Sequence, residues 1–340
     1  MSSPFRLARF LSGLTLLTAI ALPAHAISFG SKDKVKVVNG GPLKEGTTFA
    51  LGSFRVCFIT EDEVVSVAKG SWVTGGSSSS AAMSGSLEGL DQATMQKIAD
   101  KIYADFLKQA AGRGVTLTDS VHLAQASPTY KAMQMTANYS TGRMGTMVIP
   151  TGQQSVPLAE DASEKSNKGS KGLMSQWKQM GATDFATADA NKLFPVAAKE
   201  AGMPVLGVTI VVNFADFKGG NGSFGNSKVG MMPGATIEGS LKTELLRATS
   251  IVAWGPKTAT CPACMAQALL EGTVHSTEPI GSTETHKGSK GISGLVGIGP
   301  TNSYAKKGTT IYVDLPAYET NVLAVAAEAN EMLVAELGRK

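Results

Sequence analysis

Cys261 and Cys264 form the one short motif of this sequence whose residue types and spacing are typical of chemistry. In the order Cys-Pro-Ala-Cys, the pair could exchange a disulfide with a substrate, help to hold a metal ion, or close a local bridge. Pro262 suits the first position of a helix, which would place the Cys261 sulfur at a helix N-terminus, where a thiolate is stabilised. The motif is therefore a candidate thiol–disulfide oxidoreductase site.

The surroundings of the motif do not fit that chemistry. The loop at Pro300 superficially resembles the proline loop of thioredoxin-like proteins, but residues 271–291 are polar and turn-forming where that fold needs a helix, a strand and a helix. Met265 stands where a haem-attachment motif needs histidine. Structural zinc needs a second pair of ligands, and the histidines beyond the leader lack partner spacing. We predict no metal and no cofactor.

A structural disulfide is the remaining interpretation of the motif. In an oxidising compartment, three cysteines allow one bridge and one further thiol. The bridge predicted is Cys261–Cys264, and a bridge from one of these two to Cys57 is the alternative.

The segment KGSKG occurs twice, at residues 168–172 and 287–291. Two similar solvated turns would account for the repeat. The alternative is a pair of lysine-glycine loops that meet in space and bind an anionic headgroup or sugar phosphate. Its candidate anion-binding residues are Lys168, Lys171, Lys287 and Lys290.

The N-terminus predicts export. Arg6 and Arg9 precede an apolar stretch, and Ala24-His25-Ala26 matches the small-x-small cleavage pattern of a signal peptide. No cysteine follows the expected cleavage point, so a lipid anchor is not predicted. We expect residues 1–26 to be a signal peptide, and the product to be soluble and periplasmic or secreted.

Composition limits the classes of partner. The formal net charge of the 340 residues is +4 and no long basic stripe is present, which disfavours nucleic acid. No later window is apolar enough for a transmembrane helix. The 38 glycines and scarce aromatic residues are typical of a chain rich in strands and loops.

Hydrophobic periodicity predicts the main elements. Residues 49–60 and 203–217 have the content of buried strands, and 234–246 alternates as an antiparallel partner for the second. Residues 91–111 are a predicted amphipathic helix with Asp91 as its N-cap and an apolar stripe of Met95, Ile98, Ala99, Ile102, Phe106 and Ala110. The C-terminal stretch is a second one, with an apolar face of Val322, Val325, Ala326, Ala329, Met332 and Leu333. We predict one α+β domain over 27–340, with a mainly antiparallel sheet packed by two to four helices as an α/β sandwich. Long polar loops are expected near 70–85, 151–183, 218–229 and 271–291.

In element order the chain resembles periplasmic α/β domains of envelope-assembly proteins. These are the curli-secretion channel lipoprotein family and the amino-terminal domain of the Tol-system propeller protein. The resemblance rests on FRVCFIT, on IYADFLKQAAGRG before VTLTDS, and on VLGVTIVVNFADF. It implies a non-catalytic role in the envelope. Because the channel family's lipid-anchoring cysteine is absent here, anchoring and pore formation are not carried over, nor is any functional residue.

The leading functional prediction is a soluble, non-enzymatic structural or interaction protein of the periplasmic envelope. It would contact an envelope protein or associate with itself. The first alternative is a protein that binds a lipid or another small amphipathic ligand, for which the 14 methionines would form an adaptable apolar pocket. The second is the oxidoreductase with Cys261 and Cys264 as its catalytic residues.

Overall fold

The computed structural model describes residues 27–29, 34–68, 79–133, 139–141, 145–155, 190–214, 244–245, 249–258, 265–271, 274–276, 278–287 and 304–339. The helices are α1 (Gly41–Lys44), α2 (Gln92–Gly112), α3 (Ser120–Ala126), α4 (Pro128–Ala132), α5 (Ala190–Ala201) and α6 (Leu315–Val334). The strands are β1 (Ile27–Phe29), β2 (Lys34–Val38), β3 (Thr48–Ile59), β4 (Glu61–Ala68), β5 (Ser79–Glu88), β6 (Thr116–Thr118), β7 (Tyr139–Thr141), β8 (Gly145–Val148), β9 (Val205–Asn213), β10 (Glu244–Leu245), β11 (Ser250–Trp254), β12 (Ala266–Glu271), β13 (Val274–Ser276), β14 (Gly281–Lys287) and β15 (Tyr304–Val313).

The strands form two sheets. The larger has the order β1-β13-β10-β9-β11-β12-β2. Strand β3 also pairs with β9, and it pairs with β6 and β8 as well, while β7 pairs with β8. The smaller has the order β14-β15-β5-β4. Most neighbouring pairs are antiparallel, whereas β3 runs parallel to β9 and β6, and β15 runs parallel to β5. The α+β prediction with a mainly antiparallel sheet is confirmed.

Helices pack on both faces of the larger sheet. Successive residues of β11 alternate between two clusters of buried side chains: Ile251 and Ala253 belong to one, Val252 and Trp254 to the other. The first cluster includes the apolar stripes of α2 and α6, and the second includes residues of α3, α4 and α5. Because a strand sends alternate side chains to opposite faces, both faces of the central strands are buried.

The two long helices confirm the sequence periodicity. Asp91 caps α2, where its Oδ1 accepts a hydrogen bond of 2.7 Å from the Thr94 backbone N–H. All six residues of the predicted α2 stripe are buried: Met95, Ile98, Ala99, Ile102, Phe106 and Ala110. Helix α6 buries its predicted apolar face too, with Met332 partly buried, but it also buries Asn321 and Asn330. The periodicity did not indicate these two amides.

The predicted pairing of the long strand is confirmed where the structure describes it. β10 runs antiparallel to β9, with Glu244 opposite Asn213 and Leu245 opposite Val212. Between the stretches of β9 that pair with β10 and β11, the Val211 N–H donates to Thr249 Oγ1 over 3.0 Å. The threonine hydroxyl thereby satisfies a buried main-chain donor at the junction.

Two of the predicted polar loops need correction. The region 271–291 contains β13 and β14, and the region 70–85 contains the first part of β5. Strand β4, which precedes that region, was not anticipated. Serine, threonine and glycine dominate β5 and β14. Such strands carry little apolar alternation, so the pairing that forms them leaves a weak sequence signal. The predicted loop 218–229 lies outside the described residues.

Candidate functional site

The cysteine motif lies on the connection between β11 and β12. Cys261 and Cys264 themselves are outside the described residues, so their bridge and their redox role stay predictions. The prediction of a helix that starts at Cys261 is wrong for Ala266–Glu271, because these residues form β12. This strand pairs antiparallel with β11, with Ala266 opposite Ala253. Periodicity alone does not separate a helix from a strand in a segment as short as MAQALL, and pairing on both sides of β12 decides for the strand.

Of the predicted anion-binding lysines, only Lys287 lies within the described residues. It is the last residue of β14, and its backbone pairs with Lys307 of β15. Lys168, Lys171 and Lys290 lie outside, so their meeting in space stays a prediction. The structure adds that Lys287 and Lys307 occupy one cross-strand row, which the repeated KGSKG motif did not indicate.

A buried polar row crosses the larger sheet. Arg55 of β3 pairs with Thr209 of β9, which pairs in turn with Ser250 of β11. Their exposed fractions are 1%, 0% and 1%. The Arg55 Nε–H donates to Thr209 Oγ1 over 2.9 Å. Strand alternation places Arg55 on the face of β3 opposite Phe54, as observed, but the sequence does not show that this face is buried.

Ser53 extends the polar row toward the end of the chain segment 149–155. Its hydroxyl lies 2.6 Å from that of Ser155, and both residues are fully buried. The segment is held from both helical layers. Asp100 Oδ1 of α2 accepts from the Thr151 N–H at 2.7 Å, and the Ser120 hydroxyl of α3 accepts from the Gln154 N–H at 2.8 Å. The row is closed to solvent, which suits anchoring this segment rather than exchanging ligands.

The smaller sheet presents a second group of polar residues to solvent. We call it the acidic tyrosine face: Glu61, Glu88, Glu284 and Tyr312. Tyr312 pairs with Glu88 in one cross-strand row. Ser86 and Thr310, each two residues before Glu88 and Tyr312 on its strand, also pair with each other. Ser86 further pairs with Glu61, and Thr310 with Glu284. Because residues two apart on a strand share a face, all four lie on one side of the sheet.

Tyr312 is the centre of this face. The residue is 43% exposed, which is unusual for a large hydrophobic residue in the part of the chain that the structure describes, and the three glutamates are also exposed. The Tyr312 hydroxyl donates to Glu284 Oε2 over 3.2 Å. This hydrogen bond, and then the negative charges of Glu284 and Glu88, raise the pKa of the phenol above its ordinary value. The tyrosine stays protonated, and while its hydrogen is donated to Glu284 its hydroxyl oxygen can accept a hydrogen bond from a partner.

Sequence reasoning missed this face, although one signal was present. In GTTIYVDL, Thr310 and Tyr312 alternate with Ile311 and Val313. Ile311 is buried in the core, so the alternation places Tyr312 on the opposite side. The three glutamates come from different strands, and only the register brings them together.

The described residues include no group of three or more His, Cys, Asp or Glu side chains placed to hold a metal ion. Across the same parts of the chain, no helix combines the length and the apolar character needed to span a membrane. The chain matches no protein-family model, no curated protein and no solved structure.

Proposed function

We propose that the protein is an exported, non-catalytic interaction protein of the bacterial cell envelope, working in the periplasm. It would use the acidic tyrosine face to hold a basic segment of an envelope protein. The signal-peptide pattern at residues 1–26 supports export. The observation that carries the interaction role is that Tyr312, which is 43% exposed, lies beside Glu88 and Glu284.

The chemistry of the face favours a protein partner with basic side chains. An exposed tyrosine supplies a rigid apolar ring and a polar tip, a combination enriched among residues that dominate protein interfaces. The surrounding carboxylates attract Lys and Arg, and speed association with a positively charged surface. Tyr312 is also a surface on which an arginine could stack.

Crosslinking from Tyr312 tests the proposal directly. A photoreactive phenylalanine analogue at position 312, expressed with the natural leader, is irradiated in intact envelopes. The crosslinked peptide is then sequenced. We expect one envelope protein, joined through a segment rich in Lys or Arg. A crosslink into an acidic or apolar segment would overturn the proposal. So would the absence of any crosslinked protein at every expression level of the variant.

Substitutions then separate this face from the rest of the surface. With the crosslinked segment made as a peptide, Tyr312→Ala should weaken binding at least about tenfold, as expected for a central interface tyrosine. Glu284→Lys should lower the association rate and its dependence on salt. Glu331→Lys makes the same charge change on α6, where the side chain is 65% exposed, and serves as the matched control. Equal effects of the two lysine variants would contradict the proposed face.

A further inference from the structure

Strand β1 starts at the residue that follows the expected cleavage point. The small-x-small pattern ends at Ala26, and β1 begins at Ile27. β1 ends the strand path of the larger sheet and pairs antiparallel with β13. The register places Ile27 opposite Ser276, Ser28 opposite His275 and Phe29 opposite Val274. No residue therefore separates the bond to be cut from a strand of the folded sheet.

The strand that receives β1 is fixed in the folded body. β13 also pairs with β10, and its Val274 and Ser276 are fully buried. The Ser276 hydroxyl donates to Asn321 Oδ1 of α6 over 3.1 Å and accepts from the Glu278 N–H at 3.2 Å. The pairing edge for β1 consequently depends on α6, close to the C-terminus.

We infer that docking of β1 onto β13 and removal of the signal peptide exclude each other, so the leader is cut only while β1 is undocked. In the cleavage, water adds its oxygen to the Ala26 carbonyl carbon, the Ala26–Ile27 amide breaks, and Ile27 leaves as a protonated α-amine. A protease must hold an accessible, unpaired stretch of main chain on both sides of that bond. On the C-terminal side that stretch is β1, whose main chain is paired with β13.

This inference rests on the export part of the proposed function. A precursor that folds before processing should be cut only as fast as β1 opens, because local opening limits proteolysis of paired segments. The natural order is then cleavage first, with closure of the sheet edge by the new N-terminus afterwards.

The test uses the purified full-length precursor and a purified bacterial signal peptidase in detergent. The folded precursor should be cleaved at least about tenfold more slowly than the same precursor held unfolded in urea, at a urea concentration the peptidase tolerates. A six-residue Gly-Ser spacer between Ala26 and Ile27 should restore fast cleavage of the folded form. The same spacer placed between Gly30 and Ser31 leaves β1 next to the bond and should not.

Equal rates for the folded natural precursor and the Ala26–Ile27 spacer variant would overturn the inference. Failure of the unfolded precursor to be cut after Ala26 would overturn the export proposal, and this inference with it. The crosslinking at Tyr312 reads out the interaction role separately, so the two failures are distinguishable.

Discussion

Arg55 and Thr209 are joined across two parallel strands by a hydrogen bond of 2.9 Å from Nε to Oγ1, with both residues closed to solvent. A buried guanidinium is costly unless its donors are satisfied, so this contact fixes how β3 and β9 meet. The contact satisfies one of the five donors of an arginine that lies in the middle of a mostly apolar strand.

Removing this arginine should strongly destabilise the fold. We expect Arg55→Met to lower the free energy of unfolding by about 1–3 kcal/mol, because a hydrogen bond from a charged group is lost. Thr209→Val should lower it by a similar amount, because the buried guanidinium then lacks the acceptor for its Nε–H. Arg55→Lys should rescue little, because lysine lacks the Nε–H donor. Urea unfolding of the single and double variants gives the coupling energy, which should exceed about 0.5 kcal/mol. Strict additivity would show that the contact contributes nothing.

Two buried tyrosines should respond in opposite ways to loss of the hydroxyl. The Tyr130 hydroxyl donates to the Gly52 carbonyl over 2.6 Å, so Tyr130→Phe should cost about 1–2 kcal/mol. The Tyr318 hydroxyl is fully buried and has no hydrogen-bond partner within the described structure. Tyr318→Phe should therefore be neutral or stabilising by up to about 1 kcal/mol. Thermal and urea unfolding check both, and a large loss in Tyr318→Phe would reveal an ordered water at its hydroxyl.

Glu200 should make stability depend on pH. Its carboxylate accepts hydrogen bonds from the Ser127 hydroxyl and from Thr129, whose Oγ1 lies 2.7 Å away and whose N–H lies 3.0 Å away. These bonds lower the pKa of Glu200 in the folded state. The stabilisation is then present above about pH 4.3, the ordinary glutamate pKa, and is lost as the pH falls through the lower folded value.

Glu200→Gln should flatten the fall in the free energy of unfolding below about pH 4.3, and Thr129→Val should flatten it partly. Urea titrations at a series of acidic pH values measure this slope. Parallel curves for the natural protein and Glu200→Gln would contradict the assignment.

Peptide mapping under non-reducing conditions should find Cys261 bridged to Cys264 in the exported protein. The prediction rests on the oxidising compartment expected for an exported protein and on the short spacing of the two cysteines. Because the closed loop is short, replacing both cysteines by serine should cost only about 2 kcal/mol. Three reactive thiols in the denatured protein would exclude the bridge.

How far the sequence predicted the fold depended on periodicity. The stripe of α2 could be predicted because one face of the helix meets one core, so apolar residues recur every three or four positions. Strand β14 could not be predicted, because GSTETHK has no apolar alternation. No local sequence pattern indicates its pairing with β15 either. The burial of Arg55 could not be predicted without knowing that helices cover both faces of the larger sheet.

The acidic tyrosine face was predictable only in part. Strand alternation around Tyr312 indicates which side its ring occupies. Glu61 and Glu284 lie far apart in the sequence, and no local pattern sets their shared register. The anion-binding hypothesis followed a repeated motif instead, and three of its four lysines are outside the described residues.

The parallel pairing of β5 with β15 sets the order in which the chain can mature. Ser80–Glu88 pair with Tyr304–Tyr312, so the centre of the smaller sheet joins segments from opposite ends of the polypeptide. Contacts this distant along the chain form slowly, because the loop between them must close first. As the chain emerges from its N-terminus, β5 can pair with β4 early. It can pair with β15 only after almost the whole chain has emerged. Throughout that interval β5 exposes an unsatisfied main-chain edge, when the protein is most prone to aggregate and most in need of a chaperone.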